Sequence, residues 1–172
     1  MNALDDEFYM GLALEQAQQA YDAGEFPVGC VIVQDGRVLA SGTRLGTRSD
    51  RGFFSETDHA EIRALRALEN KGIRFDPQKA VVFSTMEPCL MCLGAIIIAG
   101  FKKIVYAYED AMGGATSCDL TRMNPLYADS GIKIISGVLR KKSLDLFCNF
   151  FNKESNQYWK NSWLETYTLQ QK

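Results

Sequence analysis

The chain has 172 residues, 47% hydrophobic and 23% charged, a length and balance that suit one domain with a sizeable core and argue against disorder. A formal charge of −2 at pH 7 and a pI near 5.5 give no overall attraction to a polyanion. The opening Met-Asn-Ala-Leu-Asp-Asp-Glu lacks the basic and apolar regions of a secretory signal, and five cysteines are an odd number, so the expectation is a cytoplasmic protein without a disulfide framework.

The first periodic segment runs from about Asp6 to Ala23, with Met10, Leu14, Ala17 and Tyr21 on one face and Gly24 as a stop, and predicts a helix. Val28 to Gln34, the Asp35-Gly36 dipeptide and Arg37 to Ser41 read as a hairpin. Gly42 to Thr57 contains three glycines and three arginines without apolar periodicity, so a long exposed loop is expected, of the kind that usually carries function. A helix from Asp58 to Asn70 is closed by Lys71-Gly72, a basic last turn and a C-cap glycine. A short buried strand, Ala80 to Ser84, precedes the apolar helix Pro88 to Ala99 and a strand at Ile104 to Ala107. Strand, helix and strand make a parallel unit, and the helix is too short to span a bilayer. Glu109 to Tyr127 is irregular, Ile132 to Ser136 is the last strand and Leu139 to Asn152 the last core helix. Cys30, Cys118 and Cys148 are most simply buried small hydrophobes.

The tail beyond residue 152 carries Tyr158, Trp159, Trp163 and Tyr167. Trp159 and Trp163 are four apart, which places them on one face if the tail is helical. Two readings stand: a lid or stacking platform, or an amphipathic closing helix packed on the core or a partner subunit. Aromatic stripes at helical spacing favour the second.

Chemistry concentrates between His59 and Cys92. His59 is the only histidine, Glu61 follows two residues later, and Pro88-Cys89-Leu90-Met91-Cys92 comes after one helix and one strand. One imidazole and two thiolates are zinc ligands, and three protein ligands leave the fourth tetrahedral corner open, as in catalytic sites. Asp58, three residues before Glu61, marks a helix start that places His59 in its first turn. Pro88 is a favoured first helical residue. Both ligand groups then ride on helix N-termini, whose partial positive charge favours thiolates. Glu61 as a mere cap partner of Asp58, the Cys-x-x-Cys as a redox pair, and a structural zinc completed by Cys118 or Cys148 remain open alternatives.

At these residues the chain resembles the zinc-dependent cytidine/deoxycytidylate deaminase superfamily, through His59-x-Glu61 and Pro88-Cys89-x-x-Cys92. More narrowly it is similar to the tRNA adenosine deaminase branch, through Phe26-Pro27-Val28-Gly29, His59-Ala60-Glu61-Ile62, Met86-Glu87-Pro88-Cys89 and Gly113-Gly114-Ala115 with Ser117 nearby. The resemblance implies an α/β fold of three α/β/α layers around a central mixed five-stranded sheet, a single domain over 1–172 with 153–172 as an aromatic helical tail, and a homodimer. It implies one Zn2+ per chain on His59, Cys89 and Cys92, Glu61 as proton carrier, and substrate contacts from Val28, Ala60, Glu87 and Pro88. Arg44 stands where the branch usually has asparagine, and an arginine offers donors and fixed charge but no acceptor. After the metal helix the branch is usually polar and basic, whereas here Ile97-Ile98-Ala99-Gly100 stands. An RNA footprint would have to come from Arg44, Arg48 and Arg51, from Lys102-Lys103 and from Arg140-Lys141-Lys142. The leading expectation is thus a hydrolytic nucleobase deaminase with tRNA adenosine as precedent. Its alternatives are a deaminase of free cytosine, guanine or a nucleoside, and an inactive zinc-stabilised binding subunit.

Overall fold

The computed structural model describes residues 3–48, 52 and 54–171. Arg51 lies outside the described residues. Five strands, β1 (Gly29–Gln34), β2 (Arg37–Thr43), β3 (Val81–Met86), β4 (Lys103–Tyr108) and β5 (Lys133–Ile135), form one sheet in the order β2-β1-β3-β4-β5. β1 runs antiparallel to β2 and β3, whereas β3, β4 and β5 are mutually parallel, so the sheet is mixed as expected. The helices are α1 (Ala3–Asp22), α2 (Ala60–Asn70), α3 (Leu90–Ile98), α4 (Pro125–Ala128), α5 (Arg140–Phe151) and α6 (Trp163–Gln170).

Strand alternation explains the layers. Val31, Val33, Phe83 and Val105 point to one face and pack with Tyr9, Met10, Ala13 and Leu14 of α1, joined by Leu146 of α5. Cys30, Ile32, Val82 and Ile104 point to the other, against Ala64, Leu65 and Leu68 of α2 and Leu93 and Ile96 of α3. Because successive side chains of a strand point to opposite faces, the three strands buried on both sides, β1, β3 and β4, read as near-continuous apolar runs. In α2 the buried positions Ala60, Ala64, Leu65 and Leu68 make one stripe, and Arg66 and Glu69 face outward.

Two local details set the hairpin. Asp35 and Gly36 both have positive φ, 49° and 80°, the turn that an Asp-Gly pair favours between twisted strands. Ile32 pairs with Ala40 and Val33 with Val38, leaving Leu39 as an extra residue, a β-bulge.

The structure corrects several sequence expectations. α2 begins at Ala60 with His59 as N-cap, and no side chain caps it; Asp58 lies one residue before the cap position and accepts from Arg66 Nη1 at 2.9 Å. Likewise Cys89, not Pro88, precedes the first turn of α3 as its N-cap. The 44–58 loop is not uniformly exposed: Arg44 and Thr47 are buried, because Glu25 draws the chain inward by accepting from Thr47 N at 2.7 Å and from Thr47 Oγ1 at 2.6 Å. Trp159 and Trp163 do not share a helical face, since Trp159 has φ 55° and α6 starts only at Trp163. Cys118 is exposed, whereas Cys30 and Cys148 are buried.

Gly42 of β2 lies so close to α2 that an added Cβ would stand 2.0 Å from Ala60 O and 2.6 Å from Ala64 N. No backbone can be approached at that distance, so α2 must retreat from the sheet in any variant carrying a side chain here. Gly42→Ala is expected to lower stability by about 1–3 kcal/mol, read as a Tm fall of several degrees in thermal unfolding; an unchanged Tm would refute the tight packing.

Candidate active site

The two helix starts meet at the carboxyl end of β3. His59 precedes α2, and Cys89 follows β3 by two residues before opening α3. His59 Nδ1 lies 3.6 Å from Cys89 Sγ and 3.4 Å from Cys92 Sγ, and among the described residues these three form the one metal-competent cluster, with all ligand atoms within 4.8 Å. Zn–S near 2.3 Å and Zn–N near 2.05 Å at a tetrahedral angle would require an N···S separation of about 3.6 Å. The donor set therefore fits zinc in identity and in spacing. The proposed fourth ligands do not join it: Cys118 is exposed, and Cys148 Sγ is directed at Thr168 O at 3.6 Å.

The thiols behave as a pair that shares a proton. A hydrogen bond from Cys92 holds the Cys89 thiol down to about 4, and the same bond, with burial, pushes the Cys92 thiol far up. Both thiols would be held as thiolates if a cation occupied the proton's place between them.

Glu61 projects into the same space from the first turn of α2. It is 3% exposed; Ser84 Oγ donates to its Oε1 at 2.8 Å, and Oε2 is 3.6 Å from Cys92 Sγ. Burial pushes its carboxyl above the usual carboxylate range, opposed by the charge of His59 and by the Ser84 hydrogen bond. It is thus not a partner of Asp58 in a cap.

A cavity of about 220 Å³ opens on these groups. Of the residues expected to contact substrate, Val28, Arg44, Ala60 and Glu87 line it and Pro88 does not; the Pro88 carbonyl accepts from Ala115 N at 3.0 Å. Glu87 is largely engaged with the protein itself. Its Oε2 accepts from Asp110 N at 3.1 Å, and its Oε1 accepts from Thr116 N at 3.0 Å and Thr116 Oγ1 at 2.6 Å. Gly114 is the residue that allows this brace, because a Cβ there would stand 2.4 Å from the Glu87 carboxylate.

Among the described residues, Arg44 lines the cavity, while Lys102, Lys103, Arg140 and Lys141 are engaged with the protein itself. Lys103 pairs with Val81 at the start of β3, whereas the site follows Met86 at its end, about 16 Å along the strand. Lys102 donates to Ser130 O, Lys103 to Asp6, Arg140 to Glu109 and Lys141 to Asp145. Sequence reasoning missed Ser84 and Glu56, and carried Tyr158 only as part of an aromatic tail whose lid reading stood second to a packed closing helix; the residue in fact lines the cavity. A hydroxyl inside the otherwise apolar run Val81-Val82-Phe83 was a signal for Ser84, since buried polar groups need partners; Glu56 had none, and for Tyr158 the aromatic tail was a signal without a location, because only chain folding brings residue 158 to the cavity.

Residues 4–108 match the family described as the cytidine and deoxycytidylate deaminase zinc-binding region. A tRNA-specific adenosine deaminase of Agrobacterium fabrum is 34% identical over 147 residues, covering 85% of this chain and 93% of the relative. Its counterpart in Bacillus subtilis is 31% identical over 155 residues, covering 86% and 89%. A solved structure from biochemical and structural studies of A-to-I editing by tRNA:A34 deaminases is 32% identical with a TM-score of 0.66, covering 81% of this chain and 98% of that one. With His59, Cys89 and Cys92 clustered as groups able to hold zinc beside a buried glutamate, the chain belongs to the cytidine and deoxycytidylate deaminase family and is a zinc-dependent hydrolytic deaminase of nucleobases or nucleosides.

Proposed function

We propose that this protein converts adenosine to inosine in tRNA, acting in the cytoplasm as a homodimer in which each chain is one catalytic domain. The observation that carries the chemistry is the Glu61 carboxylate, buried beside the three ligand atoms with one oxygen held by Ser84. The tRNA reading draws on relatives of that activity that match along nearly their whole length. Five free cysteines suit a reducing compartment, and no helix among the described residues is long and apolar enough to cross a membrane.

When bound, zinc supplies the Lewis acidity that makes water a nucleophile near neutral pH. Glu61 takes a proton from that water and passes it to the ring nitrogen beside the attacked carbon. It then carries the second proton to the exocyclic amine. The carbon–nitrogen bond breaks, the water oxygen stays on the ring as a carbonyl, and ammonia leaves. Ser84 fixes Oε1, so Oε2 keeps its aim across both transfers. The raised affinity of Glu61 for a proton suits a group that must both take and return one. Val28 and Ala60 wall the base, and Arg44 donates to an acceptor on the substrate. Glu87 acts by bracing the loop from Asp110 to Thr116.

One observation favours a second reading, deamination of a free base or nucleoside. Arg44 is 2% exposed in the cavity wall, and the flanking cations are engaged locally rather than assembled for a phosphate backbone. Incubation with an anticodon stem-loop and with free adenosine, cytidine, cytosine and guanine separates the two by which substrate releases ammonia.

The dimer rests on an apolar surface. Leu90, Met91 and Ile98 of α3 and Leu126 of α4 are exposed, α3 packs beside α4, and contiguous apolar surface of this kind marks a protein interface.

Three outcomes are expected. Glu61→Gln keeps zinc and fold and loses about a hundred- to ten-thousand-fold in turnover, measured as inosine formation; near-normal turnover would overturn the mechanism. Metal analysis finds one zinc per wild-type chain and almost none in Cys92→Ala; equal zinc in the two would displace Cys92 from the ligand set. In sedimentation, Ile98→Glu with Leu126→Glu shifts a dimer to a monomer, and a dimer that survives the change places the interface elsewhere.

A further inference from the structure

Tyr158 is far along the chain from the zinc ligands, yet it walls the same cavity together with Trp159 and Leu164. Its hydroxyl donates to Glu56 Oε2 at 2.9 Å and accepts from Arg44 Nη2 at 3.4 Å. Arg44 Nη2 itself stands 3.7 Å from that carboxylate oxygen. A neutral hydroxyl thus bridges a buried cation and a half-exposed anion that do not meet closely on their own.

The segment around Tyr158 is pinned rather than loose. Asn156 Oδ1 accepts from Tyr158 N at 3.0 Å and its Nδ2 donates to Tyr158 O at 3.1 Å. The Tyr158 ring packs on Phe26 with centroids 5.4 Å apart and meets Trp159 edge-on at 5.8 Å. Ser162 then caps α6 through Glu165 N at 3.1 Å, and Leu164 is buried in the core. Both tail readings therefore hold in part: α6 is a closing helix, and the residues just before it are a cavity wall.

We infer that Tyr158 is a specificity-determining residue, whose tie to Arg44 and Glu56 fixes the C-terminal segment as the wall that admits a single unpaired nucleobase with its sugar. The one short side-chain hydrogen bond of Arg44 among the described residues runs from Nη1 to Leu45 O at 2.7 Å, so Nη2 is held in place by long contacts and left able to donate to the substrate. A guanidinium has five donors and no acceptor, hence the group it reads must be an acceptor of the sugar or ring. The crossed rings of Tyr158 and Trp159 offer an aromatic surface to the base. A free nucleoside and a nucleotide extruded from an RNA loop share this chemistry. The inference rests on the deaminase reading of the site and deepens it.

Tyr158→Phe keeps the ring on Phe26 and removes both hydroxyl contacts. Steady-state kinetics on a hairpin RNA with one loop adenosine, and on free adenosine and cytidine, distinguish the two sources. On whichever one the wild type converts, KM is expected to rise about tenfold, the scale of one hydrogen bond to a charged group. kcat stays within about twofold, because no contact in the structure joins Tyr158 to Glu61, Ser84 or the zinc ligands, and an unchanged Tm shows an intact fold. Glu56→Gln raises KM likewise, and the double variant adds little to either single one, since one tie is broken twice. An unchanged KM, a fall in kcat alone, additive effects of the two variants, or a Tm loss that tracks KM each overturns the inference. A zinc-loaded wild type that converts none of these substrates removes the deaminase reading, and the wall's role with it.

Discussion

The structure depends on bringing two helix starts, 30 residues apart in sequence, to one point beyond the carboxyl end of β3. His59 and Cys89 both sit at N-cap positions, with their side chains 3.6 Å apart. Neither helix start carries a Ser, Thr, Asn or Asp cap, so first-turn amides turn their partial positive charge to the site, where Cys89 and Glu61 take backbone hydrogen bonds. That field favours thiolate at Cys89 and Cys92 and carboxylate at Glu61. Ligands placed on backbone that two packed helices already fix would lose little conformational freedom on taking up a metal.

The helices can converge only because the sheet lets them in. α2 rests directly on β2 at Gly42, and its buried stripe continues through Ala64 and Leu68 into the core shared with α3. On the far side of the site, Glu87 holds Asp110 and Thr116, which closes the loop after β4 against the start of α3, where Gly114 bridges to Cys89. The cavity is thus framed by rigid elements on three sides. Its fourth side is the C-terminal segment.

Much of this was legible from local pattern. Periodicity placed the five strands and the main helices, because amphipathic stripes and buried apolar runs report directly on which face is covered. His59, Glu61, Cys89 and Cys92 stood out because their residue types have few other uses at that spacing. What local pattern misjudged were boundaries and distant partners. Asp58 looked like a helix cap, but it lies one residue before the cap position and pairs with Arg66; the 44–58 loop looked solvent-facing, but Glu25 pulls Thr47 inside. The tail looked like one helix, yet Trp159 and Asn161 adopt positive φ and break it before Trp163. Arg44 was visible as a departure from the family pattern and Tyr158 as part of an aromatic tail, whereas their contact with each other and with Glu56 was not, since no periodicity links residues 44, 56 and 158.

The bulge at Leu39 bears on how copies of the chain meet. β2 is an outer strand of the sheet, and such a strand offers unpaired amides and carbonyls to any neighbour in extended conformation. The extra residue bends that rim out of register with a straight partner, and Lys71, from the end of α2, occupies the Leu39 carbonyl at 3.1 Å. Strand addition from another molecule is opposed there by geometry and by an ammonium group at once, so this border of the molecule resists fibre-like growth.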